Sequence, residues 1–175
     1  GLHPGDCCGW DEKCGCNFCL PCDVPDHDAL LVRMSAAGTP RIWLAFGGRA
    51  EQVAEDVAVD AAGNAFLTGY TASSDFPTAG GFDSSFAGAQ DAFVAKAVGG
   101  ALAWSSFLGG GGWEAGEAIA LDASGNLYVA GSSGSADLAA GGFDASLGGA
   151  MDAFVAKISA APALAWASYV GGDDD

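Results

Sequence analysis

An internal repeat of about 62 residues constrains the fold of this chain more than any other feature of its sequence. Three tryptophans, Trp43, Trp104 and Trp166, follow one another at nearly this interval. The segment Asp-Ala-Phe-Val-Ala-Lys that begins at Asp91 recurs at Asp152, and a weaker copy begins at Asp28. Because tandem repeats of this length are typical of solenoids and propellers, the chain is expected to build one structural unit several times.

Each full copy contains four short segments with the pattern of β-strands. In the second copy they are 92–97, 102–108, 118–121 and 127–132, which are apolar or alternating runs bounded by glycines. Between the last two lies Asp122-Ala-Ser-Gly-Asn, and Asp60 begins the same pattern in the first copy. This pattern predicts a type I turn with a bulge at the glycine. The predicted fold class is all-β, with tandem four-stranded antiparallel blade-like sheets.

Four sequence elements together resemble the bacterial SBBP-type β-propeller repeat. They are the segment at Asp91, the Trp-Ser-x-x-Leu-Gly-Gly element at Trp104, the hairpin around Asp122 and the Gly-Gly-Phe-Asp loop that begins at Gly80 and again at Gly141. The resemblance covers about residues 28–175. It implies a propeller-type repeat protein that is secreted or exposed at the cell surface. The family has no established catalytic residues, so the resemblance implies none here.

The repeats divide the chain into four segments. Residues 1–26 form a Cys-rich N-terminal segment, 27–90 the first repeat, 91–151 the second, and 152–175 a partial third repeat with two of the four strands. A closed propeller needs about four to eight blades, so this chain is not expected to close a ring alone. The half-sheet at 152–175 is expected to leave an open edge to which another chain adds strands. The residues of this assembly edge are Ala165, Trp166, Ala167, Ser168, Tyr169 and Val170.

The open edge predicts a structural subunit of a secreted or cell-surface assembly. If each copy adds head to tail to the next, a homopolymeric filament forms. Two alternatives remain open: a binding module, such as a calcium-dependent adhesin or a binder of glycans or of another surface protein, and a fragment of a larger surface β-propeller protein. The formal net charge of −16 argues against nucleic acid as a partner. The sequence has no run of about 18 apolar residues that would span a membrane.

The N-terminal segment carries all six cysteines of the chain, Cys7, Cys8, Cys14, Cys16, Cys19 and Cys22. In a secreted chain, a short segment so rich in cysteine predicts disulfides, whose pairing the sequence does not decide. The alternatives are an iron–sulfur cluster or zinc held by thiolates. The iron–sulfur pattern is incomplete, because Asp23 follows Cys22 where ferredoxins continue to a fourth cysteine and a proline.

Acidic residues outnumber basic ones by 22 to 6, which raises the question of calcium. Asp83 and Asp91 are eight residues apart, and Asp144 and Asp152 repeat this spacing. Calcium prefers six to eight oxygens from carboxylates and loop carbonyls, so these four residues are candidate ligands. The other interpretation is that the carboxylates accept hydrogen bonds from loop amides. No cofactor is predicted beyond these candidates.

Aromatic residues also recur at the repeat period. Trp43, Trp104 and Trp166 occupy equivalent positions on the second strand and are expected to fill the core between sheets, with a glycan-stacking platform as the alternative. Phe82 and Phe143 are expected to pack the long loop of each repeat onto its sheet.

An enzymatic function is not predicted. The two histidines, His3 and His27, lie in or beside the N-terminal segment, so the repeats offer no histidine as a general base. The sequence also lacks the nucleophile-elbow, phosphate-loop and zinc-protease motifs.

Overall fold

The computed structural model describes residues 28–172, which form ten β-strands and, within that range, no helix. The strands are β1 (Ala29–Met34), β2 (Pro40–Phe46), β3 (Gln52–Val59), β4 (Ala65–Thr71), β5 (Asp91–Val98), β6 (Ala101–Leu108), β7 (Glu114–Leu121), β8 (Leu127–Ser133), β9 (Asp152–Ile158) and β10 (Leu164–Val170). They build three antiparallel sheets: the first sheet (β1 and β2), the middle sheet (β3 to β6) and the last sheet (β7 to β10). The predicted all-β fold class is confirmed.

The sheets are out of phase with the sequence repeats. Each four-stranded sheet takes strands three and four of one repeat and strands one and two of the next. Strands β9 and β10 therefore complete the last sheet, and the prediction of a half-sheet at 152–175 is wrong for its described part, 152–172. The two-stranded sheet lies at the other end, within residues 29–46. A periodic sequence fits several sheet frames equally well, and pairing of β8 with β9 selects this one.

The first two strands of each four-stranded sheet, β3–β4 and β7–β8, form a hairpin that we call the inner hairpin. The predicted turns form in both inner hairpins. The Asp122 carboxylate accepts hydrogen bonds from the backbone N–H groups of Ser124 and Asn126, at 2.8 and 2.9 Å. Gly125 donates its N–H to the Asp122 carbonyl and has φ +80°, which favours glycine because it has no Cβ. Asp60 and Gly63 repeat this geometry between β3 and β4.

The three sheets pack face to face in chain order. We call the face of a sheet that is turned towards the preceding sheet its upstream face, and the other its downstream face. Between the first and middle sheets, Phe46 packs against Phe93, with ring centroids 5.9 Å apart. Between the middle and last sheets, the buried residues include Phe66, Ala92, Val94, Trp104 and Leu108 on one side. Facing them are Ile119, Leu127, Val129, Phe154, Ala156, Ile158, Ala167 and Tyr169.

The first strands of the two four-stranded sheets also touch. The backbone N–H of Ile119 in β7 donates to Oδ2 of Asp56 in β3, at 2.8 Å. The inner strands of neighbouring sheets are thus held together, as expected for blades arranged about a common axis.

Loops cover the outer edge of each four-stranded sheet. Along β10, Ala140 and Ala167 exchange backbone hydrogen bonds of 3.0 and 2.8 Å, and the Tyr169 N–H donates to the Asp144 carbonyl at 3.1 Å. Along β6, the Phe107 N–H donates to the Asp83 carbonyl, also at 3.1 Å. The prediction that Ala165, Trp166, Ala167, Ser168, Tyr169 and Val170 form an open assembly edge is therefore wrong. The chain protects this edge with its own loop, which is a common device against edge-to-edge pairing.

Candidate functional site

The upstream face of the first sheet exposes apolar side chains that the other two sheets bury. Leu30, Val32 and Met34 on β1 are 45%, 40% and 53% exposed. The same repeat positions on β5 and β9, which are Phe93, Ala95, Ala97, Phe154, Ala156 and Ile158, are at most 3% exposed. We call Leu30, Val32 and Met34 the upstream end face.

The downstream face of the last sheet is exposed in the same way. Tyr128, Val155 and Trp166 are half-buried, and Val170 is 48% exposed. At the corresponding positions of the middle sheet, Phe66, Val94, Trp104 and Leu108 are buried against the last sheet. Tyr128 and Trp166 lie edge to face, with ring centroids 6.5 Å apart. We call Tyr128, Val155, Trp166 and Val170 the downstream end face.

The two loop phenylalanines behave differently. Phe82 packs against the core between the middle and last sheets, as expected. Phe143 is 77% exposed, so the expectation that it packs its loop onto the sheet is wrong. Phe82 has a following sheet to contact, whereas the described part of the chain places none beyond Phe143.

The tryptophans are not all equivalent. Trp104 pairs with Lys96 and Trp166 with Lys157, whereas Trp43 pairs with Val32, one residue out of step. The expected equivalence of Trp43 is therefore wrong. In the backbone pairing, Ile42 lies opposite Arg33 and takes the place that Trp104 and Trp166 have opposite Lys96 and Lys157. Trp104 is buried between sheets, which confirms the core interpretation for that residue.

The four candidate calcium ligands accept hydrogen bonds from amides of their own loops. Asp91 accepts from Ala87 and Gly88, at 3.1 and 3.2 Å, and Asp152 accepts from Gly148 at 2.7 Å. Asp83 and Asp144 each accept from the serine two residues later, at 2.8 and 2.9 Å. Within residues 28–172, no group of three or more His, Cys, Asp or Glu side chains is placed to hold a metal ion. Calcium binding at Asp83, Asp91, Asp144 and Asp152 stays a prediction.

A buried carboxylate begins the last sheet. Glu114 accepts hydrogen bonds from the Gly110 N–H at 2.8 Å, from the Ser133 hydroxyl at 2.9 Å and from the Ser135 hydroxyl. Gln52 occupies the same position in the middle sheet and accepts from the Gly48 N–H at 2.8 Å. These contacts fix the corner between successive sheets.

Two further predictions concern other parts of the chain. The cysteine predictions for Cys7, Cys8, Cys14, Cys16, Cys19 and Cys22 lie outside the described residues. The described residues include no helix that is long and apolar enough to cross a membrane.

Sequence reasoning singled out β10 for an open backbone edge, whereas what β10 exposes is side chains such as Val170, and it missed Leu30, Val32 and Met34 on β1. One signal could have found them. Their repeat partners in β5 and β9 are apolar at every position, so an exposed copy is expected wherever a preceding sheet is missing.

Comparison with known proteins supports the repeat assignment. Residues 46–77 match the family model described as the SBBP beta-propeller repeat. The matched segment runs from the end of β2 through the inner hairpin of the middle sheet to the following loop, so the resemblance is confirmed over these residues. No curated protein matches the chain.

Proposed function

Starting from the SBBP beta-propeller repeat at residues 46–77, we propose that this chain is a structural subunit of a secreted or cell-surface assembly. Its copies stack head to tail, with the downstream end face of one on the upstream end face of the next. The proposal rests on one observation: both end faces expose residues whose repeat partners are buried between sheets. Burial of such apolar surface contributes about 25 cal/mol per Å².

The internal junction between the middle and last sheets supports the proposed fit of the two end faces. The downstream face of the middle sheet packs against the upstream face of the last sheet within one chain. On the downstream end face, Tyr128, Val155 and Trp166 take the places that Phe66, Val94 and Trp104 have at this junction. They would meet the upstream end face of the next copy in a similar way. Because the two contacting surfaces differ, the contact is heterologous, and it gives a filament when the rotation does not close.

Two blocked variants test this stacking. Leu30→Asp places a charge on the upstream end face, and Val170→Asp places one on the downstream end face. Each variant alone is expected to stay monomeric in light scattering after gel filtration, because one of the two contacting surfaces is always blocked. Mixed together, they are expected to form a 1:1 dimer through their two intact faces.

A third variant serves as the control for the two blocked variants. Val98→Asp changes a side chain that is 44% exposed at the end of β5, away from both end faces, and is expected to assemble like the unmodified chain. Negative-stain microscopy is expected to show filaments of the unmodified chain. Monomers at every concentration would contradict the proposal, and closed rings would contradict its filament form.

Disulfides between the six cysteines are a second part of the proposal, since covalent links would strengthen a secreted assembly. Non-reducing and reducing gels of the assembled chain test it. A ladder that collapses on reduction is expected, whereas thiolate ligation of a metal would leave no ladder.

Glycan binding is the second candidate function. It is favoured by the exposed Phe143 and by the half-buried pair of Tyr128 and Trp166, because aromatic rings with an accessible face can stack on sugars. A glycan array of Leu30→Asp separates this candidate from stacking, because this variant cannot stack but keeps Tyr128, Phe143 and Trp166. Binding of no glycan by this variant or by the unmodified chain would contradict the candidate.

A further inference from the structure

The first sheet has two strands, whereas the other two sheets each have two more, which form the inner hairpin. In both four-stranded sheets, an inner hairpin (β3 and β4, or β7 and β8) pairs with the third strand. β1 corresponds to that third strand and pairs with β2 on one side. In the described part of the chain, no strand pairs with its other side.

The missing half leaves an apolar groove on the middle sheet. Val57 and Val59 of β3 are 47% and 62% exposed, whereas their repeat partner Ile119 is 7% exposed and Leu121 is partly buried. A cavity of about 250 Å³ lies between β1 and this surface. Its lining includes Leu31, Val32, Val57, Val59, Ala65 and Ala97.

The molecule itself shows what covers such a surface. Ile119 and Leu121 pack in one core with Phe66 and Ala58, which belong to the inner hairpin of the preceding sheet. An inner hairpin added to β1 would stand in the same place before Val57 and Val59.

Charge points to the same occupant. In the complete sheets, the acidic turn of the inner hairpin lies beside a basic residue on the third strand: Asp60 beside Lys96, and Asp122 beside Lys157. Arg33 occupies the basic position on β1. Its guanidinium already lies close to Gly63 in the Asp60 turn of the middle sheet, and an incoming hairpin would bring a second acidic turn to it.

We propose that the groove formed by β1, Val57 and Val59 receives an inner hairpin of another SBBP-type repeat, carried by a second polypeptide. The hairpin adds its second strand to the free edge of β1 by backbone hydrogen bonds and lays apolar side chains over the groove. Neither inner hairpin of residues 28–172 can be this hairpin, because β3–β4 and β7–β8 already belong to the middle and last sheets.

This docking uses the free edge of β1 and the exposed side chains of β3, whereas the head-to-tail stacking uses the upstream face of β1. The two share Val32, but neither requires the other. A synthetic peptide of residues 52–71, which is the inner hairpin of the middle sheet, serves as the probe. We expect saturable binding to the full chain and slower amide hydrogen exchange at 29–34, with exchange in β10 unchanged.

Matched variants make the test specific. Val57→Asp is expected to weaken binding about tenfold or more, because a charge replaces an apolar contact. Val170→Asp, at a valine of nearly the same exposure on the downstream end face, is expected to change the affinity less than about twofold. Both changed side chains are on the surface, and equal melting temperatures would show that both variants are folded.

Three results would overturn the proposal. One is no binding of the peptide to the unmodified chain. Another is equal weakening by Val57→Asp and Val170→Asp. The third is slow exchange throughout 29–34 without peptide, because it would mean that another part of the chain already occupies the edge. Loss of head-to-tail stacking with intact peptide binding would contradict the proposed function alone.

Discussion

Aspartates at different places in the repeat have pKa values shifted in opposite directions. Burial raises the pKa of the Asp91 carboxyl, and the charges of Glu114 and Asp83 act in the same direction. Hydrogen bonds from the backbone N–H groups of Ala87 and Gly88 lower the pKa, but by less than burial raises it. By contrast, the hydrogen bond from the Asn126 side chain lowers the pKa of Asp122. The two residues should therefore make stability depend on pH with opposite signs.

The variants Asp91→Asn and Asp122→Asn test this opposition. Because the folded-state pKa of Asp91 is raised, its contribution to stability is full below the unfolded value of about 3.9 and is lost as pH rises through the folded value. Asp91→Asn should therefore gain stability relative to the unmodified chain as pH rises above about 4. The contribution of Asp122 to stability is present above about pH 3.9 and is lost as pH falls through its lowered folded pKa. Asp122→Asn should therefore be less stable than the unmodified chain near neutral pH, and this difference should disappear in acid.

Urea unfolding at several pH values measures both differences. Each variant serves as the control for the other, since each replaces one carboxylate by an amide of the same shape. Differences that change with pH in the same direction for both variants would contradict the assignment.

At the scale of single elements, each inner hairpin requires a glycine opposite its bulge. The register of β3 against β4 shifts between Ala54 and Asp56, and a Cβ on Gly69 would lie 1.9 Å from the Val53 carbonyl oxygen. Gly131 meets the Ala115 carbonyl oxygen at the same distance in the last sheet. A side chain at this position must displace backbone.

We expect Gly69→Ala to destabilise the chain by about 1–3 kcal/mol, the usual range for overpacking. Gly111→Ala is the control, because a Cβ there would come no closer than 3.9 Å to the Asp137 carboxylate, and we expect it to change stability by less than about 0.5 kcal/mol. Thermal or urea unfolding measures both. Similar losses for the two variants would mean that backbone freedom, rather than the close contact, sets the cost.

The loops that cover the sheet edges are held by a repeated serine. The Ser168 hydroxyl accepts the Asp144 N–H at 2.8 Å and donates to the Asp144 carbonyl at 3.1 Å, and Ser106 makes the same two contacts with Asp83. Ser168→Ala should cost about 1–2 kcal/mol and speed amide exchange at Tyr169, since the loop loses two hydrogen bonds. Ser146→Ala, at an exposed serine of the same loop, should do neither.

At the scale of the whole molecule, the repeat predicted the strands and turns well but not their grouping. The strand predicted at 92–97 lies within β5, and the turns at Asp60 and Asp122 formed as expected, because alternation and turn chemistry are local. The grouping of strands into sheets depends on contacts between distant residues, such as Ile119 with Asp56. The position of Trp43 likewise followed from strand pairing rather than from residue type, since Ile42 and not Trp43 lies opposite Arg33.

The same arrangement explains why one sequence position has different energetic importance in successive repeats. Val94 and Val155 occupy equivalent places on β5 and β9. Val94 is completely buried between the middle and last sheets, whereas Val155 is half-buried on the downstream end face. In a stacked array, each sheet is stabilised by contacts with its neighbours. A substitution on the outer face of the final sheet therefore removes fewer contacts.

We therefore expect Val94→Ala to cost about 2 kcal/mol and Val155→Ala less than about 1 kcal/mol in dilute monomer, since the cost of a lost methyl group grows with burial. Urea unfolding of monomer, with the association state checked by light scattering, measures both. Under conditions of assembly, Val155→Ala should cost more than it does in the monomer, because Val155 becomes buried against the next copy. Val155→Ala should then weaken head-to-tail association, while Val94→Ala, which alters no end face, should leave the association of its folded fraction unchanged. Equal costs in the monomer would mean that the downstream end face is already covered within a single molecule, and stacking of copies through it would have to be abandoned.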